Sequence, residues 1–177
     1  MKFDAGDTLL KYKAGILSHS ARKEQGMDLL LWRHAEAEDG TPDVKRRLTL
    51  RGERQARQVA IWMKENGLDD LRVIASPATR CQQTAQALAR PFETDPRLGT
   101  EGDVAALLAA VNWPDGDKQR AVVVVGHQPT LGRTAALLLS GAEANWTIKK
   151  GALWWFSNRT RREETQTILK AVVPVKV

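Results

Sequence analysis

The chain has 177 residues, 42% hydrophobic and 27% charged, enough for one compact domain and too few for a second large one. No apolar run approaches the roughly 18 residues of a bilayer span, the single cysteine, Cys81, rules out an internal disulfide, and the apolar pairs Leu9-Leu10 and Ile16-Leu17 are too isolated for a secretory leader. The net charge of +6 is spread along the chain, and its densest clusters, Lys45-Arg46-Arg47 and Arg159 to Arg162, are too short for a nucleic-acid stripe, so the expectation is a cytoplasmic, monomeric protein with a mildly basic surface, with neither nucleic acid nor membrane as a partner.

Residues 1–26 carry neither a sustained helical stripe nor strand alternation and end in the polar stretch Ser18 to Gly26. They read as a flexible N-terminal appendage, with His19 inert inside it. The compact domain, 27–177, is expected to begin where Met27 opens onto a first strand, Leu29 to Arg33. From there short apolar runs alternate with helical stripes, the pattern of an α/β domain whose parallel strands are joined by crossover helices. A first helix starts near Thr49 as its cap, buries Ala56, Val59, Ala60 and Met63, and stops at Asn66-Gly67. A second strand, Val73 to Ser76, leads into a helix begun by Ser76-Pro77, cap then first-turn proline, with Cys81, Thr84, Ala85 and Leu88 along one stripe. In that stripe Cys81 reads as a small core residue.

A third helix follows with Val104, Leu107, Leu108 and Val111 and ends before Pro114. The strand Ala121 to Gly126 precedes a fourth helix with Leu131, Ala135, Leu138 and Leu139, closed by Ser140-Gly141. The last two strands, Leu153 to Phe156 and Ile168 to Val172, read as an antiparallel edge hairpin turning at Ser157 to Thr160. Period-two alternation there sends one ring of Trp154-Trp155 into the core and the other outward, toward a partner.

Three segments place reactive side chains just past the carboxyl end of a buried strand, the edge where open α/β sheets bind ligands. They are Arg33-His34-Ala35-Glu36, Ser76-Pro77-Ala78-Thr79-Arg80 and Gly126-His127-Gln128-Pro129. If the strands are parallel neighbours, two histidines and two arginines converge. Arginine stays charged and offers a planar fork matched to phosphate oxygens. A neutral imidazole, with an unperturbed pKa of about 6.5, is nucleophilic near neutral pH and can accept a phosphoryl group that water later removes. The guanidinium groups and the second imidazole would hold the charge on the equatorial oxygens, and Arg80 falls in the first turn of its helix, where backbone N–H groups also favour an anion. A metal centre is not expected, because only His34 and His127 are available and the adjacent arginines repel a cation.

In order and spacing, these segments, extended as Arg33-His34-Ala35-Glu36-Ala37, Ser76-Pro77-Ala78-Thr79-Arg80-Cys81-Gln82-Gln83-Thr84-Ala85 and Val125-Gly126-His127-Gln128-Pro129, resemble the signature of the histidine phosphatase superfamily. Within it, the short domain and the run Arg46-Arg47-Leu48-Thr49-Leu50-Arg51-Gly52 look like the SixA branch of phosphohistidine phosphatases. The likeness runs from about Met27 to Phe156. It implies a phosphoglycerate mutase-like fold: a three-layer αβα sandwich, its central sheet mostly parallel with an antiparallel edge hairpin. It also implies that His34 is the nucleophile, that Arg33, Arg80 and His127 complete the phosphate pocket, and that Arg46 adds a further contact. The usual Arg-His-Gly is Arg33-His34-Ala35 here, which asks for an ordinary backbone conformation at position 35.

The candidates for a proton donor are Glu36, beside the nucleophile, and Glu101, before the third helix; each also reads as a solvated surface carboxylate. A phosphoramidate needs less protonation than an alkoxide leaving group, so the want of a firm acid favours a phosphorylated protein histidine, in a phosphorelay or phosphotransfer protein, over a small phosphate ester. The expected activity is metal-independent and cofactor-free dephosphorylation of phosphohistidine through a phosphohistidine intermediate on His34. Two alternatives stand beside it: a phosphomonoesterase for a small phosphate ester, and a non-catalytic module that binds phosphoproteins.

Overall fold

In a computed structural model, which describes residues 26–117, 120–161 and 164–175, the chain builds one six-stranded mixed sheet between two pairs of helices. The strands are β1 (Asp28–Arg33), β2 (Leu71–Ala75), β3 (Glu93–Thr94), β4 (Ala121–Gly126), β5 (Leu153–Arg161) and β6 (Glu164–Val173), and the helices are α1 (Leu50–Glu65), α2 (Thr79–Gln86), α3 (Val104–Val111) and α4 (Thr130–Ser140). The spatial order is β3-β2-β4-β1-β5-β6. The pairs β2/β3, β2/β4 and β1/β4 are parallel, while β5 runs antiparallel to β1 and β6 to β5. This is the expected three-layer sandwich with its antiparallel edge hairpin. The expected appendage lies outside the described residues, save Gly26.

Central strands covered on both faces read as unbroken apolar runs, and β4, Ala121-Val122-Val123-Val124-Val125-Gly126, is buried throughout. Alternate residues feed two cores. Leu30, Trp32, Val73, Val123 and Val125 pack with Ala56, Val59 and Met63 of α1 and with Cys81 and Ala85 of α2. On the other face, Leu29, Leu31, Ile74, Val122 and Val124 pack with Leu107 and Val111 of α3 and with Leu131 and Ala135 of α4. Among the described residues no helix is long and apolar enough to cross a membrane.

Local signals fix most boundaries. The Thr49 hydroxyl accepts from the Gly52 N–H and caps α1, and Gly67 closes its end at φ +74°. Asp103 caps α3 through the Ala106 N–H. Ala35 is not among the described residues with positive φ, so the alanine is accommodated as expected.

Several boundaries differ from the sequence reading. Helix α2 starts at Thr79, not at Ser76-Pro77, and Ala78 in its cap position offers no side-chain bond; the Ser76 hydroxyl accepts from the Ala78 N–H and meets His127, so it closes the turn before the helix and not the helix itself. Ser157 to Thr160 are strand rather than turn: the ladder continues through Asn158↔Thr167 and Arg159↔Gln166 to Arg161↔Glu164. The rings of Trp154-Trp155 go to opposite faces as alternation expects, and both are half-buried against further tryptophans. Trp155 meets Trp62 edge-on at 6.4 Å and Trp154 lies 6.3 Å from Trp146.

Candidate active site

The three motif segments come together at the carboxyl ends of β1, β4 and β2. Register pairs Arg33 with Gly126 and Ala75 with Val125, and the ladder runs one step further, with His34 N–H donating to the Gly126 carbonyl and Ser76 N–H to that of Val125. His34, His127 and Arg80 are all buried, at 6%, 4% and 3% exposure. The two imidazoles face each other with centroids 5.3 Å apart and planes inclined by 57°.

Hydrogen bonding assigns the ring nitrogens. In His34, Nδ1 lies 2.8 Å from the Ala35 carbonyl, an obligate acceptor, so Nδ1 carries the proton. The Nε2 lone pair of His34 therefore stays free. In His127, Nδ1 accepts from Arg80 Nη2 at 3.3 Å, which puts the proton on Nε2, 2.8 Å from the Ser76 hydroxyl. Burial pushes both rings down, His34 to about 3 and His127 to about 4; the arginines add to the shift, and the bond from His34 to Ala35 partly offsets it. Both imidazoles are neutral at physiological pH.

Two guanidinium groups flank the rings. Arg80 sits in the first turn of α2, and Arg33 is half-buried with Nη1 donating to the Ile148 carbonyl at 2.7 Å. Nε of each is buried and has no acceptor among the described residues. An oxyanion would supply one, since a buried donor left unpaired is costly. Around the site stand three guanidinium groups, counting Arg46, against the carboxylate of Asp43.

Asp43 carries no signal that the sequence reading used. It opens a short 3-10 helix, Asp43–Lys45, and binds Arg80 twice, through its carbonyl to Nη1 at 2.8 Å and its carboxylate to Nη2 at 2.9 Å. The same carboxylate takes Nε of Arg46 at 2.8 Å. Hydrogen bonds from Arg46 and Arg80 hold the Asp43 carboxyl below its ordinary value. Arg46 is thus brought to the site through Asp43, three residues before it.

The two acid candidates fall in different places. The Glu36 carboxylate accepts from the Thr49 hydroxyl at 2.9 Å and lies 3.4 Å from Arg51, so it is engaged at the start of α1. Glu101 is exposed and lines a cleft of about 410 Å³ that adjoins Ser76, with Val44, Pro77 and Pro96. Cys81 lies 3.5 Å from His127 Nε2, but burial pushes its thiol up to about 12, which leaves it a packing residue without a reactive thiolate. Among the described residues no three His, Cys, Asp or Glu side chains group to hold a metal ion.

A free imidazole lone pair facing a second neutral imidazole, between guanidinium groups with unused donors, is equipped to accept a phosphoryl group. The family model of the histidine phosphatase superfamily (branch 1) matches residues 29–101. The phosphohistidine phosphatase SixA of Escherichia coli is 30% identical over 122 residues, 65% of this chain and 76% of the relative. An uncharacterized protein of Picosynechococcus sp. is 33% identical over 151 residues, 80% of this chain and 91% of its own length. A solved structure of the protein histidine phosphatase SixA complexed with tungstate superposes with a TM-score of 0.67 at 27% identity, covering 83% of this chain and 96% of that one. Sequence, fold and site agree: the chain belongs to the histidine phosphatase superfamily, as a phosphatase of the SixA type.

Proposed function

We propose that the protein hydrolyses phosphohistidine in a partner protein of a phosphorelay or phosphotransfer system, without metal or cofactor, through a phosphohistidine intermediate on His34. The observation that carries the reading is the free Nε2 of a neutral His34, facing a second imidazole at 5.3 Å. In the first step His34 Nε2 forms a bond to phosphorus while the bond from phosphorus to the substrate imidazole breaks, and the departing ring takes up a proton. In the second step water displaces the phosphoryl group from His34, releasing inorganic phosphate and restoring the ring. Arg33 and Arg80 bind the equatorial oxygens, with their unpartnered Nε groups as extra donors. The Nε2–H of His127, now bonded to Ser76, is a further donor beside the reacting ring. Arg46 acts on the pocket through Asp43, and Glu36 acts on the loop that follows the nucleophile through Thr49.

A carboxylic acid beside the leaving group would favour a small phosphate ester. Glu36 is tied to Thr49 and Arg51, which supports the phosphoramidate, and Glu101, exposed in the cleft beside Ser76, is the carboxyl an ester would call on. A substrate panel tests this: kcat/KM for a phosphohistidine-bearing protein should exceed that for sugar phosphates and nucleotides, and a clear preference for esters would refute it. Quenched turnover should trap label that is stable in base and lost in acid, and His34→Ala should abolish both label and turnover. Phosphoprotein binding without turnover in the native chain would instead establish a binding module.

A further inference from the structure

Beyond the reacting groups, the mouth of the site is bordered by a loop that the catalytic segments hold in place. Arg33 Nη1 donates to the Ile148 carbonyl at 2.7 Å and Gly151 N–H donates to the His34 carbonyl at 3.0 Å. Between these anchors lie Lys149 and Lys150, both exposed and neither with a partner for its ammonium group among the described residues. Two residues before Ile148, the Trp146 carbonyl accepts from the side chain of Gln128, the neighbour of His127, at 2.7 Å. That contact is close: a Cβ on Gly132 would sit 1.8 Å from the same carbonyl, so only glycine admits it. The Trp146 ring remains 36% exposed and leans on Trp154 at 6.3 Å. Asp43 docks the 3-10 helix against Arg80, leaving exposed Lys45 and, just beyond it, exposed Arg47 without ion pairs among the described residues, in a cleft shared with Glu38 and Asp39.

We propose that this loop at the mouth, with Trp146, Lys149 and Lys150, is a docking surface for the acidic face of a phosphohistidine-bearing protein. The inference rests on the phosphohistidine reading above and adds the charge of the partner. Two considerations select that occupant. A phosphoryl group alone is matched by the buried guanidinium groups, so unpaired cations outside the pocket answer to charge beyond it. An exposed, rigidly backed tryptophan is a residue type that anchors protein-binding hot spots, and rim cations steer the encounter. The Asp43 carboxylate is neutralised by Arg80 and Arg46, whereas Glu38 and Asp39 line the same cleft as Lys45 and Arg47; the loop cations Lys149 and Lys150 therefore carry the charge argument. Cations placed around a mouth raise the encounter rate with anionic partners, and salt weakens the effect.

Three phosphohistidine substrates test the proposal: a short peptide with aspartates flanking a central phosphohistidine, the same peptide with asparagines, and free phosphohistidine. The acidic peptide should show a kcat/KM about tenfold above the neutral one at low salt, shrinking toward equality near 0.5 M salt. The double variant Lys149→Glu, Lys150→Glu should erase or invert that preference while turning over free phosphohistidine at the wild-type rate, which also shows that the variant is folded. Equal kcat/KM for the two peptides, or a preference untouched by the double variant, would overturn the docking surface and leave the phosphohistidine activity standing. Turnover of none of the three would overturn the activity and the docking surface together.

Discussion

Asp43 holds Arg80 by two separate hands, a backbone carbonyl on Nη1 and a carboxylate on Nη2, at 2.8 and 2.9 Å. The carbonyl orients the guanidinium, whereas the carboxylate also occupies a donor that a phosphoryl oxygen would use. Asp43→Asn keeps the first contact and removes the competing charge. It should tighten inhibition by tungstate or vanadate about three- to fivefold, the size of a half-exposed ion pair of about 1 kcal/mol. Weaker inhibition would mean that the carboxylate serves orientation alone.

The histidines should titrate far below the usual range. With His34 at about 3 and His127 at about 4, their ring-proton resonances should stay unshifted from pH 8 to 5, where an unperturbed imidazole passes its midpoint near 6.5. Both folded values lie below the unfolded one, so the unfolded chain binds more protons between them. Stability should therefore fall as pH drops from about 6.5 and the loss should level off below about 3. Melting temperatures of wild type and His34→Ala across that window provide the check: the variant should lose less. A midpoint for His34 at or above 6 would contradict the burial argument.

Glu36 separates positioning from proton donation. Glu36→Gln keeps an acceptor for the Thr49 hydroxyl and loses only the 3.4 Å pair with Arg51. Turnover of phosphohistidine should stay within about threefold of wild type, against the 100-fold or greater loss that removal of a general acid brings. Glu36→Ala should cost about 1 kcal/mol of stability through the lost hydrogen bond at the α1 cap, read as a lower denaturation midpoint with kcat little changed.

Much of this was legible in the sequence because chemistry and burial leave local marks. The run of valines before Gly126-His127 announced a strand covered on both faces, and Thr49 and Gly67 bounded α1. His34, Arg33, Arg80 and His127 could be singled out because each follows a buried strand, and parallel pairing brings such positions to one edge. Relations made only by tertiary contact carry no such mark. Nothing in the residues around Asp43 tells that its carboxylate turns back onto Arg80, and the loop from Trp146 to Gly151 looks like any connection until Ile148 and Gly151 are found bonded to Arg33 and His34. The α2 start misled for a related reason: Ser76 matches a cap, but its hydroxyl is also held by His127. The two-residue strand β3 is too short to show a period. Each tryptophan of the hairpin has a partner that no local pattern shows, Trp62 of α1 for Trp155 and Trp146 for Trp154.

The register Arg33↔Gly126 sets how the reacting rings can vary. Each histidine stands one residue beyond that pair, so their separation of 5.3 Å follows the repeat of neighbouring strands, about 4.8 Å, rather than the course of any loop. The sheet serves as the ruler for the chemistry. The connections around the mouth can be lengthened, recharged or exchanged to suit a different client while the two imidazoles keep their distance, and parting them would require unzipping β1 from β4 at the centre of the molecule.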